Sequence, residues 1–142
     1  MAAHHRFSQK SSEKLDTCHG ELRVLFKRVL EVCPLDITII EGMRSNERQQ
    51  ELYDTGMSKL QAGQSKHNVT EKEPLSRAVD VAPLTENGIE WENRELWLHF
   101  GGYVKGVARE MGIPIRWGGD WDGDFSFKDQ TFHDMPHFEL GY

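Results

Sequence analysis

The stretch Ala78-Val79-Asp80-Val81-Ala82 is a run of small, mostly apolar residues with one carboxylate at its centre. We interpret it as a short strand, because valine favours extended backbone and the run is bounded by polar segments. An unpaired carboxylate inside such a strand would be costly, since a buried charge needs a partner or a bound cation. The stretch therefore predicts a strand and, at Asp80, a functional site.

Short strands and longer helices alternate on both sides of this stretch. Apolar residues at helical spacing predict a helix from Ser11 or Ser12 to about Cys33, which Pro34 ends. Further helices are predicted over residues 46–56 and 91–111, and further strands over residues 36–40, 115–117 and 137–140. The strands are too short for a doubly wound sheet, so the pattern favours an α+β domain with a small antiparallel sheet flanked by helices.

Two stretches lack a regular pattern. Residues 57–76 hold few apolar side chains and are predicted to form a long loop, which in a compact domain is usually functional or mobile. Residues 120–133 are acidic and irregular. Both loops border the candidate strands, so we expect functional side chains on them.

The composition limits the classes of function. The chain has 142 residues and a net charge of −6, which favours one globular domain over residues 1–142 with a flexible N-terminus at 1–10. The negative charge disfavours a nucleic-acid partner. We find neither a membrane span nor a secretory signal, and expect a chain made in the cytoplasm. Cys18 and Cys33, predicted about four turns apart on one helix, are interpreted as reduced thiols.

Three side chains are candidate metal ligands: His67 at the end of the first loop, Asp80, and His137 at the start of the last strand. Two histidines and one carboxylate match a ligand set of catalytic zinc sites, which keep one position open for water. Each residue also has an ordinary interpretation. His67 fits a surface loop, Asp80 could pair with Arg77 or Arg44, and His137 could be an edge-strand histidine. Spacing alone does not join the three, and no HExxH helix is present.

The acidic stretch carries a second possible metal pattern. Asp120, Asp122, Asp124 and Ser126 alternate as the first oxygen ligands of a calcium loop do. The glycine expected at the sixth place is Phe125, and the glutamate expected at the twelfth is Thr131. Calcium binding and a solvated acidic loop therefore both stay open.

Several of these segments together resemble one family. The segments are Ser65-Lys66-His67, Arg77-Ala78-Val79-Asp80, Trp117-Gly118-Gly119-Asp120-Trp121, Asp134-Met135-Pro136-His137-Phe138-Glu139, and Gly42-x-Arg44-Ser45 followed by Gln50 and Tyr53. In this order they resemble the zinc D-Ala-D-Ala carboxypeptidases and L-alanyl-D-glutamate endopeptidases, a family that includes vancomycin-resistance dipeptidases and single-domain phage endolysins. The resemblance runs from about residue 12 to 140 and implies the fold that this family shares with the hedgehog signalling domain.

The resemblance implies a role for each matching residue. His67, Asp80 and His137 would hold one zinc ion. Asp134 would be the general base, and Arg44 would steady the oxyanion or a substrate carboxylate. Weaker assignments are a substrate contact through Ser65, a second hydrogen bond to a ligand histidine from Glu139, and a position outside the ligand set for His133. Trp117 and Trp121 fit the core or a groove wall, and the ring of Trp117 could contact substrate there.

The chain departs from the family pattern between the first two ligands. The family usually has them seven residues apart with a glycine two before the alanine, whereas here they are thirteen apart and Ser76 stands at the glycine place. An insertion around residues 68–75 would explain the spacing, because a loop can bulge between fixed ends at small entropic cost. Such an insertion could reshape the substrate groove.

The resemblance implies an endolysin that cleaves the L-alanyl-D-glutamate bond of peptidoglycan stem peptides, acting as a monomer. Without a signal, it would reach the wall in the periplasm only after a holin had permeabilised the membrane, and no membrane insertion of its own is expected. The alternatives are a D-Ala-D-Ala carboxypeptidase or dipeptidase and, from another class, a non-catalytic zinc-binding domain like the hedgehog relatives. A free base at Asp134 argues against a purely structural zinc site, which four protein ligands would tend to close.

Overall fold

The computed structural model describes residues 5–126, 128 and 133–142. Within these residues the chain forms four helices and four strands. Along the chain they are α1 (Gln9–Asp16), α2 (Gly20–Val32), β1 (Asp36–Glu41), α3 (Asn46–Asp54), β2 (Ala78–Leu84), α4 (Arg94–Met111), β3 (Ile115–Trp117) and β4 (His137–Leu140).

The four strands form one sheet in the order β1-β2-β4-β3, and each neighbouring pair is antiparallel. The register sets Asp80 of β2 opposite His137 of β4. It also sets Glu41 opposite Asp80 on one side and Arg116 opposite Glu139 on the other. The last strand in sequence, β4, thus lies beside β2, which brings two predicted ligands together.

The two faces of the sheet differ in character. Because side chains alternate along a strand, Val79, Val81, Phe138 and Leu140 share one face, and all four are buried in the apolar core. The ring of Phe138 contacts Phe26 of α2 at 5.4 Å between ring centroids and Phe100 of α4 at 6.1 Å. Asp80, His137 and Glu139 project from the opposite face.

The first predicted helix is wrong as a single element. Ser8 caps α1, which ends at Thr17, and the imidazole of His19 accepts from Glu21 N to begin α2. Between the helices the backbone forms two hydrogen bonds with Ser76: Ser76 N donates to Thr17 O at 2.9 Å, and His19 N donates to Ser76 O at 2.8 Å. Because helical backbone groups are already paired within the helix, these bonds require a break.

The other predicted elements are confirmed with small shifts in their ends. The α+β architecture with a small antiparallel sheet is confirmed, and residues 57–76 contain neither helix nor strand. The helix predicted from residue 91 begins at Arg94, after the Asn93 cap. The helix α1 begins at Gln9, inside the segment expected to be flexible, while Met1 to His4 lie outside the described residues.

Both cysteines are buried and free, as the sequence predicts. Cys18 lies in the break between α1 and α2 and Cys33 at the end of α2, so the two do not share one helix. Burial raises the pKa of the Cys18 thiol to about 12, which keeps it protonated at neutral pH. None of the described helices has the length and apolar character needed to cross a membrane.

Candidate metal centre

The three predicted ligands converge on the polar face of the sheet. Asp80 Oδ1 lies 3.2 Å from His67 Nε2 and 3.2 Å from His137 Nδ1. One ligand atom from each residue lies within 4.8 Å of the others, and each residue is at most 9% exposed. The two imidazole rings meet edge to face, with centroids 5.1 Å apart. This grouping can hold a metal ion by two nitrogens and one oxygen.

His67 is oriented by the loop that carries it and by the turn after β1. Its Nδ1 lies 2.7 Å from Gly42 O. Because a carbonyl can only accept, Nδ1 donates to Gly42 O, and Nε2, on the side of Asp80, is the nitrogen available to a metal ion. A side chain at Gly42 would collide with Lys14 O and Thr17 Oγ1, so the close approach of this turn to α1 requires glycine.

His137 is also oriented by a hydrogen bond from the ring nitrogen that does not face Asp80. Its Nε2 lies 2.8 Å from Glu139 Oε1, and a carboxylate accepts, so Nε2 is protonated and Nδ1 points to Asp80. Burial would lower the pKa of this imidazole, but hydrogen bonds to Asp80 and Glu139 raise it to about 9 in the metal-free protein. The metal-free cluster therefore holds a proton that a cation would displace.

Asp80 is ionised in this setting. Burial alone would raise the pKa of the carboxyl group, but hydrogen bonds from His137 and His67 hold it well below its usual range. The two imidazoles compensate the free-energy cost of burying this carboxylate, which the sequence predicts for an unpaired Asp80. Asp80 pairs more closely with the histidines than with Arg44, whose NH2 lies 3.7 Å from Oδ2.

Asp134, the predicted base, lies beside the cluster without joining it. Its Oδ2 is 3.9 Å from His137 Nδ1, and its side chain is 35% exposed. The backbone fixes this position, since Asp134 N donates to Gly118 O and Gly118 N donates to His137 O. A side chain at Gly118 would collide with Asp134 O. Burial and the nearby Asp80 charge raise the pKa of Asp134, which makes the carboxylate a stronger base.

The guanidinium group of Arg44 is already engaged. Nε and NH2 donate to the two carboxylate oxygens of Glu41 at 2.9 and 2.6 Å, and NH1 donates to Gln49 Oε1 at 2.7 Å. Gln49 is fully buried and in turn donates to Ser58 Oγ and Leu60 O. Neither Glu41 nor Gln49 is predicted from the sequence, and the guanidinium group that the resemblance assigns to substrate is paired with Glu41.

Ser65 also has a local partner. It is 8% exposed, and its Oγ accepts from His67 N at 3.1 Å. Asn68 closes the same turn, since its N donates to Ser65 O and its side-chain amide donates to Arg44 O. In this geometry the Ser-x-His pattern shapes the turn that presents His67, and the substrate contact expected of Ser65 has no support from its position.

The insertion between the first two ligands leaves the site undisturbed. Arg77 N donates to Lys66 O at 3.0 Å, which joins the two ends of the inserted segment 68–75. Ser76, at the place where the family has glycine, is fully buried and donates from Oγ to Ala78 O at 2.6 Å. His67 and Asp80 therefore meet although thirteen residues separate them, as the insertion hypothesis requires.

The two tryptophans of the Trp-Gly-Gly-Asp-Trp segment separate into different roles. Trp117 is 4% exposed, stacks on Phe138 in the core and donates from Nε1 to Met135 O. Trp121 lies beside the cluster, with its ring centroid 5.4 Å from that of His137. The aromatic ring beside the site is therefore that of Trp121, whereas Trp117 packs in the core and its contact with substrate stays a prediction. His133 is not among the clustered ligands.

The acidic stretch forms a second cluster. Carboxylate oxygens of Asp120, Asp122 and Asp124 lie within 4.8 Å of one another. Asp120 is buried, with Oδ2 accepting from Phe125 N at 2.9 Å, while Oδ1 is buried without a hydrogen-bond partner among the described residues. Phe125 has a φ of 66°, the left-handed conformation that glycine provides at this place of a calcium loop. Thr131, the twelfth position, lies outside the described residues.

A cavity of about 840 Å³ lies elsewhere, between α4 and the segment after β3. Its lining includes Trp117 and Asp120 but none of the three clustered ligands. The ligands instead lie on the polar face of the sheet.

A small α+β fold that gathers two histidines and an aspartate beside a partly exposed carboxylate has the ligand set of metal-dependent hydrolases. Residues 3–141 match the family described as phage L-alanyl-D-glutamate peptidase. The chain belongs to this family, and the resemblance seen in the sequence is confirmed.

Named relatives agree with this assignment. The chain is 28% identical over 138 residues to the L-alanyl-D-glutamate peptidase of Escherichia phage T5, covering 95% of this chain and 97% of that protein. It is 30% identical over 122 residues to the peptidoglycan L-alanyl-D-glutamate endopeptidase CwlK of Bacillus subtilis, covering 75% of this chain and 61% of CwlK. The crystal structure of the Serratia marcescens L-Ala D-Glu endopeptidase ChiX is similar with a TM-score of 0.71 and 28% identity, covering 96% of this chain and 90% of that one.

Proposed function

We propose that the protein is a zinc-dependent endopeptidase that hydrolyses the L-alanyl-D-glutamate bond of peptidoglycan stem peptides. The observation that carries this proposal is the convergence of His67, Asp80 and His137, with Asp134 next to them and outside the ligand set. The T5, CwlK and ChiX proteins, all named for activity on this bond, support the choice of substrate.

Zinc is the metal that the ligand set favours. Two imidazole nitrogens and one carboxylate oxygen are ligands of known catalytic zinc sites, whereas calcium and magnesium prefer oxygen ligands throughout. On each imidazole the nitrogen that faces Asp80 is the one left for a metal ion, because the other nitrogen is hydrogen-bonded to Gly42 O or to Glu139. With three protein ligands, a fourth position would remain for water.

When bound, zinc would lower the pKa of a bound water molecule and polarise the scissile carbonyl group. Asp134 accepts a proton from the attacking water and passes it to the leaving nitrogen as the amide C–N bond breaks. The raised pKa of Asp134 assists the first transfer, because it makes the carboxylate a stronger base. The products are a carboxylate on L-alanine and a protonated amine on D-glutamate, which together take up the oxygen and both protons of the water molecule.

For Arg44 we propose a positioning role in place of direct substrate contact. Its two-point contact with Glu41 leaves the guanidinium group beside Asp80, where its positive charge favours the ionised carboxylate. Trp121, the aromatic side chain next to His137, is the better candidate for contact with the substrate. Ser65 supports the His67 turn through its hydroxyl oxygen.

Product analysis of digested peptidoglycan tests the proposed bond. New amino ends on D-glutamate, without new reducing ends on the glycan, are expected. Release of free D-alanine would indicate a carboxypeptidase instead. Absence of any cleavage by a zinc-loaded protein would favour a non-catalytic zinc domain.

A second metal is proposed for the acidic stretch. Asp120 Oδ1 is buried without a hydrogen-bond partner among the described residues, and Asp120 clusters with Asp122 and Asp124. Three carboxylates this close together favour a bound cation, and their oxygens are the ligands that calcium prefers. Calorimetric titration of the zinc-loaded protein with calcium tests the site, and an absence of heat at millimolar calcium would leave a solvated acidic loop.

The remaining expectations concern where the enzyme works. All four proposed active-site groups come from one chain, so catalysis by a monomer needs no partner subunit. Because the proposed substrate is the bacterial wall, we propose that the enzyme reaches it in the periplasm after the membrane has been permeabilised, by analogy with phage endolysins. Lysis of cells only after membrane permeabilisation would support this order of events.

A further inference from the structure

Glu139 is a buried carboxylate that the proposed reaction does not use. It is 7% exposed and projects from β4 on the same face as His137, two residues earlier. A buried carboxylate is retained only when cations or hydrogen bonds compensate for lost hydration. Its surroundings therefore indicate what it does.

Its two oxygens join the two halves of the metal centre. Oε1 lies 2.8 Å from His137 Nε2, and Oε2 lies 2.9 Å from Lys66 Nζ. Lys66 immediately precedes His67, and its ammonium group also donates to Leu140 O at 2.6 Å. The loop that carries one histidine ligand is thus tied to the strand that carries the other.

Arg116 completes the charge balance around this carboxylate. Its NH1 lies 3.5 Å from Glu139 Oε2, from the opposite position on β3. Arg116 is about half exposed, whereas Lys66 is less so, at 32% of the side chain. The contact of Glu139 with Lys66 is shorter and less exposed to solvent than its contact with Arg116. We therefore expect Lys66 to stabilise the Glu139 carboxylate more than Arg116 does.

We propose that Glu139 is a positioning residue that selects Nδ1 of His137 as the metal-binding atom and, through Lys66, fixes the loop that presents His67. This inference rests on the proposed metal site. Its physical basis is that a carboxylate accepting from one imidazole nitrogen leaves the other nitrogen unprotonated and fixes the plane of the ring. Without Glu139 the ring of His137 could turn, and either nitrogen could carry the proton.

Metal affinity of the purified protein, measured by competition with a chromophoric chelator, tests the role directly. Glu139→Ala is expected to weaken zinc binding about 10- to 100-fold. Glu139→Gln keeps an acceptor for His137 but loses the ion pair with Lys66. Its zinc affinity should therefore decrease less than that of Glu139→Ala. Lys66→Met should also weaken binding, since it frees the loop. Glu31→Gln, which removes a carboxylate from an exposed ion pair with Arg28 on α2, is the matched control and should bind as wild type does.

A second measurement does not depend on the variants being folded. Nitrogen-15 NMR of the zinc-loaded wild-type protein reports which nitrogen of each histidine carries a proton. The proposal predicts a proton on Nε2 of His137 and on Nδ1 of His67. A proton on Nδ1 of His137 would overturn it, as would a folded Glu139→Ala variant with wild-type affinity.

The outcomes separate this proposal from the proposed function. If the wild-type chain binds no zinc, the metal centre itself fails. If wild type binds zinc and cleaves peptidoglycan while Glu139→Ala binds zinc equally well, only the positioning role fails.

Discussion

The protein has two clusters of candidate metal ligands, and they are built in different ways. His67, Asp80 and His137 lie on a sheet face, and each histidine has its second nitrogen hydrogen-bonded to a fixed acceptor. Asp120, Asp122 and Asp124 lie on one loop, and two of the three are exposed. The first cluster is oriented before any ion arrives, whereas the second is a set of like charges close together.

This difference teaches that convergence of ligand atoms is only part of a metal site. The histidine cluster draws its three ligands from sequence-distant segments, and its orientation depends on Gly42 and Glu139, which bind no metal. The acidic cluster is local in sequence and depends on Phe125 in a left-handed conformation. We expect substitutions in the first cluster to have much larger effects than those in the second.

The largest effect is expected for Asp80→Ala, which removes the oxygen shared by both histidines. Zinc should no longer bind in stoichiometric amount, and cleavage of peptidoglycan should fall to background. Elemental analysis and an assay of new amino ends check both. Asp36→Ala, on β1 and outside the cluster, serves as the control. Full activity in a zinc-free Asp80→Ala variant would remove the distinction between the two clusters.

The next largest effect is expected for Asp134→Asn, which keeps the shape of the side chain but abolishes proton transfer. The turnover number should fall by about 10²- to 10⁴-fold, because general base catalysis contributes this much. Zinc content should stay unchanged, since Asp134 is outside the ligand set. Turnover close to that of wild type would mean that another group accepts the proton.

A smaller, graded effect is expected from pH. The pKa of His137 in the metal-free protein is raised to about 9, so zinc must displace a proton below that pH. Apparent zinc affinity should weaken about tenfold for each unit below about pH 9 if one proton is released. Chelator competition at several pH values measures the slope, and a flat profile from pH 6 to 9 would contradict the geometry.

The same pKa shift has a consequence for folding. A raised folded-state pKa stabilises the metal-free protein fully below the unfolded value of 6.5, and this contribution is lost as pH rises through about 9. The urea concentration at the midpoint of unfolding of the metal-free protein should therefore decrease as the pH is raised from 6.5 to about 9. Excess zinc should reverse the trend, because it binds the deprotonated imidazole.

The smallest effect is expected for Asp122→Asn in the acidic loop. Asp122 is exposed and contacts none of the histidine ligands, so zinc content and cleavage in calcium-free buffer should match those of wild type. Only the proposed binding of calcium should weaken. Loss of zinc in this variant would show that the two clusters are coupled.

The sequence predicts the strands and the three ligands because their signals are local. Each strand is a short apolar run, and each ligand sits in a motif of a few residues. The resemblance supplied what spacing alone did not, namely that His67, Asp80 and His137 belong together. The insertion at 68–75 did not obscure this, since the hydrogen bond between Lys66 and Arg77 closes it.

What the sequence did not predict depends on contacts between distant residues. The break at Cys18 follows from its pairing with Ser76, which is distant in the sequence. The thiol of Cys18 also contacts Ala78 O, close to the same point of the chain. The engagement of Arg44 by Glu41 and Gln49 depends on how the turn after β1 folds back. Trp117 and Trp121 lie in one short segment of the sequence, which does not distinguish them. Only the packing shows that Trp117 stacks on Phe138 in the core and that Trp121 lies beside His137.

The central claim is that the histidine cluster holds a catalytic zinc ion. The most direct test is to titrate the metal-free protein with zinc while measuring cleavage of purified peptidoglycan, for wild type and for His137→Ala. We predict that wild-type activity rises linearly and saturates at about one zinc per chain, as expected for a single catalytic zinc site, and that the variant gains none. A metal-free protein that cleaves as fast as the zinc-loaded one, or a His137→Ala variant that zinc activates normally, would contradict the claim.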